Sequence, residues 1–153
     1  MKTEDMVEIV LDKRLINLNL NVSTKEEAIS ELTEILYENN KLISKESYIR
    51  DALEREKHCT TGIGNGVAIP HSKSDGVKET SIAIGRLCTP IEWQALDDNP
   101  VILVFLIAVK KEDAGETHLK VLSFIATQLM EEEVISGLLK AETPEEVITL
   151  LCR

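Results

Sequence analysis

Val101-Ile102-Leu103-Val104-Phe105-Leu106-Ile107-Ala108-Val109 is apolar at nine successive positions. It is far short of the roughly 20 residues that a membrane-spanning helix needs. Read as a strand, it turns successive side chains to opposite faces, so it must be buried on both and needs helices above and below its sheet. This requirement sets the class of the whole domain as α/β.

Upstream, Asp97-Asp98-Asn99-Pro100 has the composition of a turn. Two further strands are predicted over 80–87 and 67–69. Near the N-terminus, 15–20 puts Ile16, Leu18 and Leu20 on one side with Asn17 and Asn19 on the other, the period of two of a half-buried strand. Ser23 and Thr24, followed by Glu26 and Glu27, give a capping-box start to a helix carrying Ala28, Ile29, Leu32, Ile35 and Leu36 at helical spacing. A second helix is predicted over 45–57, with Tyr48, Ile49, Ala52 and Leu53 as a narrower stripe, ended by the glycine-rich segment 62–66.

The C-terminal third reads as helices over 117–130 and 133–140 and a last one. There Thr143 is the expected N-cap, Pro144 the first helical residue, and Glu145 and Glu146 complement the positive helix end. Helix, strand, helix, several strands and then helices describe an α/β domain with a covered sheet.

The 153 residues, 43% of them hydrophobic, suffice for one core, and no repeat or linker divides residues 1–153, so a single domain is expected. Acidic residues exceed basic ones by ten. That charge disfavours nucleic acid and anionic lipid as partners. The first residues lack the apolar run of a secretory signal, so a cytoplasmic location without membrane insertion is expected. Cys59, Cys88 and Cys152 are odd in number and irregularly spaced, and the three histidines include no close pair. Neither a disulfide framework, a metal site nor a cofactor is indicated.

The segment Thr60-Thr61-Gly62-Ile63-Gly64-Asn65-Gly66-Val67-Ala68-Ile69-Pro70-His71 joins dense glycine to a proline set directly before a histidine. As one strand it would have a nearly flat side of Gly62, Gly64, Gly66 and Ala68. Pro70 cannot donate a ladder hydrogen bond and is expected to end that strand. His71 would then stand at a strand's C-terminal edge, where open α/β sheets bind ligands. On spacing alone, a tight turn with His71 on the surface is the simpler reading. A dinucleotide loop fails, because the spacing is not G-x-G-x-x-G and the glycines lead into a strand. A P-loop fails for want of Gly-Lys-Ser/Thr.

The segment resembles the active-site signature of the fructose and mannitol class of enzyme IIA domains in the bacterial phosphotransferase system. The likeness extends to Leu53-Glu54-Arg55-Glu56, to Ala95-Leu96-Asp97 with Pro100-Val101, and to Thr117-His118-Leu119. It implies the mannitol-type fold, a single domain whose mixed central sheet is covered by helices on both faces. It also implies that His71 is phosphorylated and flanked by Arg55 and His118. By their residues alone, Arg55 reads equally as a solvated arginine between two glutamates, and His118 as a packed histidine beside Leu122, Ile125 and Leu129. In favour of a role, Thr117 as N-cap would put His118 at a helix N-terminus, a site that suits phosphate. Thr60 and Thr61 offer hydroxyls, but nothing in the pattern selects either.

The resemblance further implies a donor, the phosphorylated histidine-containing phosphocarrier protein, and an acceptor cysteine on enzyme IIB, with the membrane component IIC served indirectly. A neutral imidazole is a competent nucleophile near pH 7. Its second nitrogen would be oriented by a backbone carbonyl or by His118. The glycines would leave a flat rim for partners. The nitrogen-regulatory branch shares the signature, so regulation without sugar uptake is the alternative. A phosphate-sensing module without turnover is a third reading.

Overall fold

The computed structural model describes residues 11–113 and 116–152, with the side chains of 113–119 outside the description. In chain order the strands and helices are β1 Ile16–Leu20, α1 Lys25–Glu38, α2 Lys45–His58, β2 Gly62–Gly64, β3 Val67–Ala68, β4 His71–Ser74, β5 Ser81–Ile91, β6 Val101–Lys110, α3 Glu116–Gln128, α4 Glu132–Lys140 and α5 Pro144–Leu151. The apolar run is β6, at the centre of a six-stranded sheet of order β1-β5-β6-β3-β2, with β4 also paired to β6. Parallel pairs (β1 with β5, β3 and β4 with β6) and antiparallel pairs (β5 with β6, β2 with β3) make the sheet mixed.

β6 separates two apolar layers. Val104, Leu106 and Ala108 face a cluster with Ala28, Ile29, Leu32 and Leu36 of α1 and Tyr48 and Ala52 of α2. Leu103, Phe105, Ile107 and Val109 face another, with Val121 and Ile125 of α3, Val134 and Leu138 of α4, and Val147 and Leu151 of α5. Each fully buried aliphatic side chain contributes about 1.5–3 kcal/mol, so these stripes hold the helices to both faces. Thr24, Ser44 and Thr143 cap α1, α2 and α5, each accepting a backbone N–H three residues on.

Two local expectations change. Ile16 and Leu18 pack on the α3–α5 side, but Leu20 is buried with α1. The β1–β5 register shifts between Asn17 and Leu20, and an extra residue in a strand turns the positions after it to the other face. α3 runs over Glu116–Gln128, so Thr117 lies inside it and not before its first residue as an N-cap would, its side chain being outside the described residues. In segment 62–68 the glycines make the tight turn that spacing alone suggested. β2 and β3 form an antiparallel hairpin, and Gly64, Asn65 and Gly66 have φ of 104°, 58° and 78°. That left-handed turn suits glycine and asparagine.

β3 and β4 keep one register along β6, with Val67 opposite Leu103, Ala68 opposite Val104 and His71 opposite Ile107. They are one strand interrupted at Pro70, whose carbonyl accepts the Ile107 N–H at 2.9 Å. His71 therefore opens a strand segment within the sheet, contrary to the expected C-terminal edge, because Pro70 withholds one donor without ending the alignment.

Candidate active site

His71 is half-buried, and its Nδ1 lies 2.7 Å from the Ile69 carbonyl oxygen. A carbonyl only accepts, so Nδ1 carries the proton, and in the neutral ring Nε2 holds the basic lone pair. Alternation along β4 turns Ser72 and Ser74 toward α2, where Ser74 Oγ donates to Asp51 Oδ2 at 2.6 Å. His71 and Lys73 turn to the side on which Val67 and Ile69 pack. Behind the ring's backbone, Tyr48 Oη donates to the Ile107 carbonyl at 2.9 Å, fixing α2 against the β6 residue paired with His71.

The β2–β3 hairpin beside this histidine is gripped by the β5–β6 connection. Leu96 N–H donates to the Gly62 carbonyl at 3.0 Å, and Ile102 and Leu103 N–H donate to the Gly66 carbonyl at 2.8 and 3.0 Å. Asp97 Oδ2 accepts the Asn65 N–H at 3.1 Å. Backbone bonds from Asn99 and Asn65 lower the proton affinity of the Asp97 carboxyl. A Cβ on Gly62 would lie 2.8 Å from both Cα and Cβ of Ala95 and 3.2 Å from Trp93 Cδ1. Gly62 and Gly64 are buried. The expected flat glycine rim is thus absent, because Gly62 is used for internal close approach and Gly64 and Gly66 for the positive φ of the turn. The hairpin's exposed apolar side chain is Ile63, with Leu96 exposed on the connection next to it.

Arg55 comes from the last turn of α2, where Nη1 donates to the Cys59 carbonyl at 3.4 Å. Its positive charge lowers the proton affinity of the His71 ring. His118 lies in the first turn of α3, and its side chain is outside the described residues. Sequence reasoning missed Glu56. It is 7% exposed, and its carboxylate accepts the Thr61 N–H at 3.0 Å and the Thr61 hydroxyl at 2.6 Å. A signal existed, since 48, 52 and 56 fall on one helical stripe and Tyr48 and Ala52 are buried. Among the described residues, no three His, Cys, Asp or Glu side chains converge as metal ligands.

Burial is the largest influence on the His71 ring and lowers its proton affinity. Arg55 adds to that effect, while the bond to Ile69 and the charge of Glu56 oppose it. The folded pKa therefore lies below the ordinary value of about 6.5, and the ring is neutral at pH 7. NMR titration of His71 should give a midpoint below that of a free histidine. The unfolded chain takes up this proton first, so stability from this group is full above about pH 6.5 and is lost as pH falls through the folded pKa. Nucleophilic capacity should follow the same acid limb.

Comparison with known proteins agrees with this fold. The family model described as phosphoenolpyruvate-dependent sugar phosphotransferase system, EIIA 2, matches residues 9–153. The chain is 39% identical over 142 residues to the PTS system fructose-specific EIIABC component of Bacillus subtilis (strain 168), covering 93% of this chain and 22% of that protein. It thus spans about a fifth of the length of such a relative. The crystal structure of nitrogen regulatory protein IIA-Ntr from Neisseria meningitidis superposes with a TM-score of 0.87 at 32% identity, over 95% of this chain and 99% of that one. Enzyme IIAMTL from Escherichia coli, in complex with phosphorylated enzyme IIBMTL, gives 0.78 at 28%, over 92% and 96%. Among the described residues, no helix is long and apolar enough to cross a membrane.

Proposed function

The chain belongs to the EIIA 2 family of the phosphoenolpyruvate-dependent sugar phosphotransferase system, and from that premise we propose that it is a phosphocarrier whose His71 Nε2 accepts a phosphoryl group and hands it on. The observation that carries this reading is the Nδ1–H bond to the Ile69 carbonyl, which makes Nε2 the nucleophilic nitrogen of the neutral ring.

The donor is the phosphorylated histidine-containing phosphocarrier protein. The Nε2 lone pair forms the new N–P bond while the donor's N–P bond breaks, and the released pair stays on the donor's imidazole. The Nδ1 proton remains on His71, where the Ile69 carbonyl stabilises the positive charge that attack creates. In the onward step a cysteine thiolate of enzyme IIB attacks the same phosphorus, the bond to His71 breaks, and the pair returns to Nε2. Sugar uptake through the membrane component IIC is served indirectly. In-line transfer spreads charge over three equatorial oxygens, and Arg55 and His118 act as the donors that stabilise it.

Incubation with labelled phosphoenolpyruvate, enzyme I and the histidine phosphocarrier should give an acid-labile, base-stable adduct that is chased onto enzyme IIB. Arg55→Ala and His118→Ala should remain folded and slow acceptance about 10²–10³-fold, the usual cost of one lost charge-stabilising donor. Wild-type rates in both would remove these roles.

A second reading is favoured by the overlap with the neisserial IIA-Ntr structure. In it, His71 takes the phosphoryl group and the phosphorylation state itself is the signal. Stable label that no sugar-system enzyme IIB can discharge would select this regulatory role.

A further inference from the structure

Glu56 is linked to the His71 ring by three successive anchors. Both of its carboxylate oxygens are committed to Thr61, one to the N–H at 3.0 Å and one to the hydroxyl at 2.6 Å. The Thr61 carbonyl accepts the Ile69 N–H at 2.9 Å. The Ile69 carbonyl in turn accepts the His71 Nδ1–H at 2.7 Å. Burying a carboxylate is costly unless its oxygens are satisfied, and here both are spent on the one residue whose carbonyl holds Ile69, just past β3. The site sits where α2 hands over to the hairpin, so the rigid helix sets the position of the carbonyl that selects the ring's tautomer.

We propose that Glu56 is a positioning residue for His71, acting through Thr61 and the Ile69 carbonyl to hold the imidazole with its proton on Nδ1 and Nε2 directed to the phosphoryl group. Its negative charge also favours the positively charged ring, in the sense that helps during attack. The inference rests on His71 being the phosphoacceptor, but the ring's tautomer can be read without any transfer.

The test compares wild type, Glu56→Ala and Glu56→Gln in the full chain. Two quantities are measured: the His71 tautomer, from ring ¹⁵N shifts, and the initial rate of label uptake. A glutamine keeps both contacts, since its carbonyl accepts the Thr61 N–H and its amide donates to the Thr61 hydroxyl oxygen. Glu56→Ala should shift the ring toward the Nε2–H tautomer and slow uptake about tenfold or more, the usual size of losing an orienting partner. Glu56→Gln should restore the tautomer and most of the rate. If Glu56→Ala does not fold, Thr61→Val removes only the hydroxyl contact and should move both readouts in the same direction by less.

Wild-type tautomer and rate in folded Glu56→Ala, or in Thr61→Val, would overturn the inference. So would a Gln variant as defective as Ala. Absence of label on His71 of the wild type would instead overturn the phosphoacceptor assignment, while the tautomer comparison would still judge Glu56.

Discussion

His71→Ala should reduce phosphoryl labelling of the chain to the background of the assay, with the fold retained. The side chain is half-buried at the start of β4, and its partner on β6 is held through backbone bonds and Tyr48, so truncation removes little of the core. His71→Asn is the sharper variant. Its amide keeps a donor for the Ile69 carbonyl but supplies no ring nitrogen, so it too should stay unlabelled. In the wild type, ¹H–¹⁵N correlation after phosphorylation should find phosphorus on Nε2, because Nδ1–H is engaged with Ile69 at 2.7 Å. Label surviving in both variants would move the acceptor elsewhere. Phosphorus on Nδ1 would show that the Ile69 bond does not govern the attack.

Arg86→Ala should produce the largest loss of stability. Arg86 lies on β5, on the side of the sheet where Ile82 and Ile84 meet α3, α4 and α5. Its Nε donates to the Leu18 carbonyl at 3.2 Å, and Nη1 lies 3.0, 3.2 and 2.7 Å from the carbonyls of Leu138, Leu139 and Ala141. The cation thus satisfies the C-terminal carbonyls of α4, where a positive charge also complements the helix dipole. Removing it leaves partly buried acceptors unpaired, at about 1–3 kcal/mol each. Some of them will find water, so a total of about 3 kcal/mol is expected. For a domain of this size that lowers Tm by roughly 10 °C. Arg86→Lys should recover part of the loss, since a point charge cannot reach β1 and the helix end together. A thermal shift under about 2 °C in Arg86→Ala would count against this account.

The class of the fold and most of its elements are legible in the pattern of residues along the chain. The nine apolar residues of 101–109 demanded cover on both faces, and both clusters are there. Thr24, Thr143 and Pro144 announced their helices because capping depends on residues a few positions apart. The signature ending in His71 marked one histidine among three, while Arg55 by its residues alone read equally as solvated.

Features that depend on distant pairings became visible only in the folded chain. A register shift between β1 and β5 moved Leu20 to the opposite core, which no pattern within 15–20 could reveal. Three residues of positive φ make the turn of a hairpin, and Ala95 and Trp93 pack against Gly62. Pro70 interrupted a strand that β6 kept in line, so His71 stands within the sheet and beyond the edge of neither segment. The two assignments that bear most on the chemistry were of this kind. Which imidazole nitrogen keeps its proton depends on where the Ile69 carbonyl lies, and the place of Glu56 depends on where Thr61 lies. Each is fixed by backbone atoms, whose positions a sequence does not spell until the chain has folded.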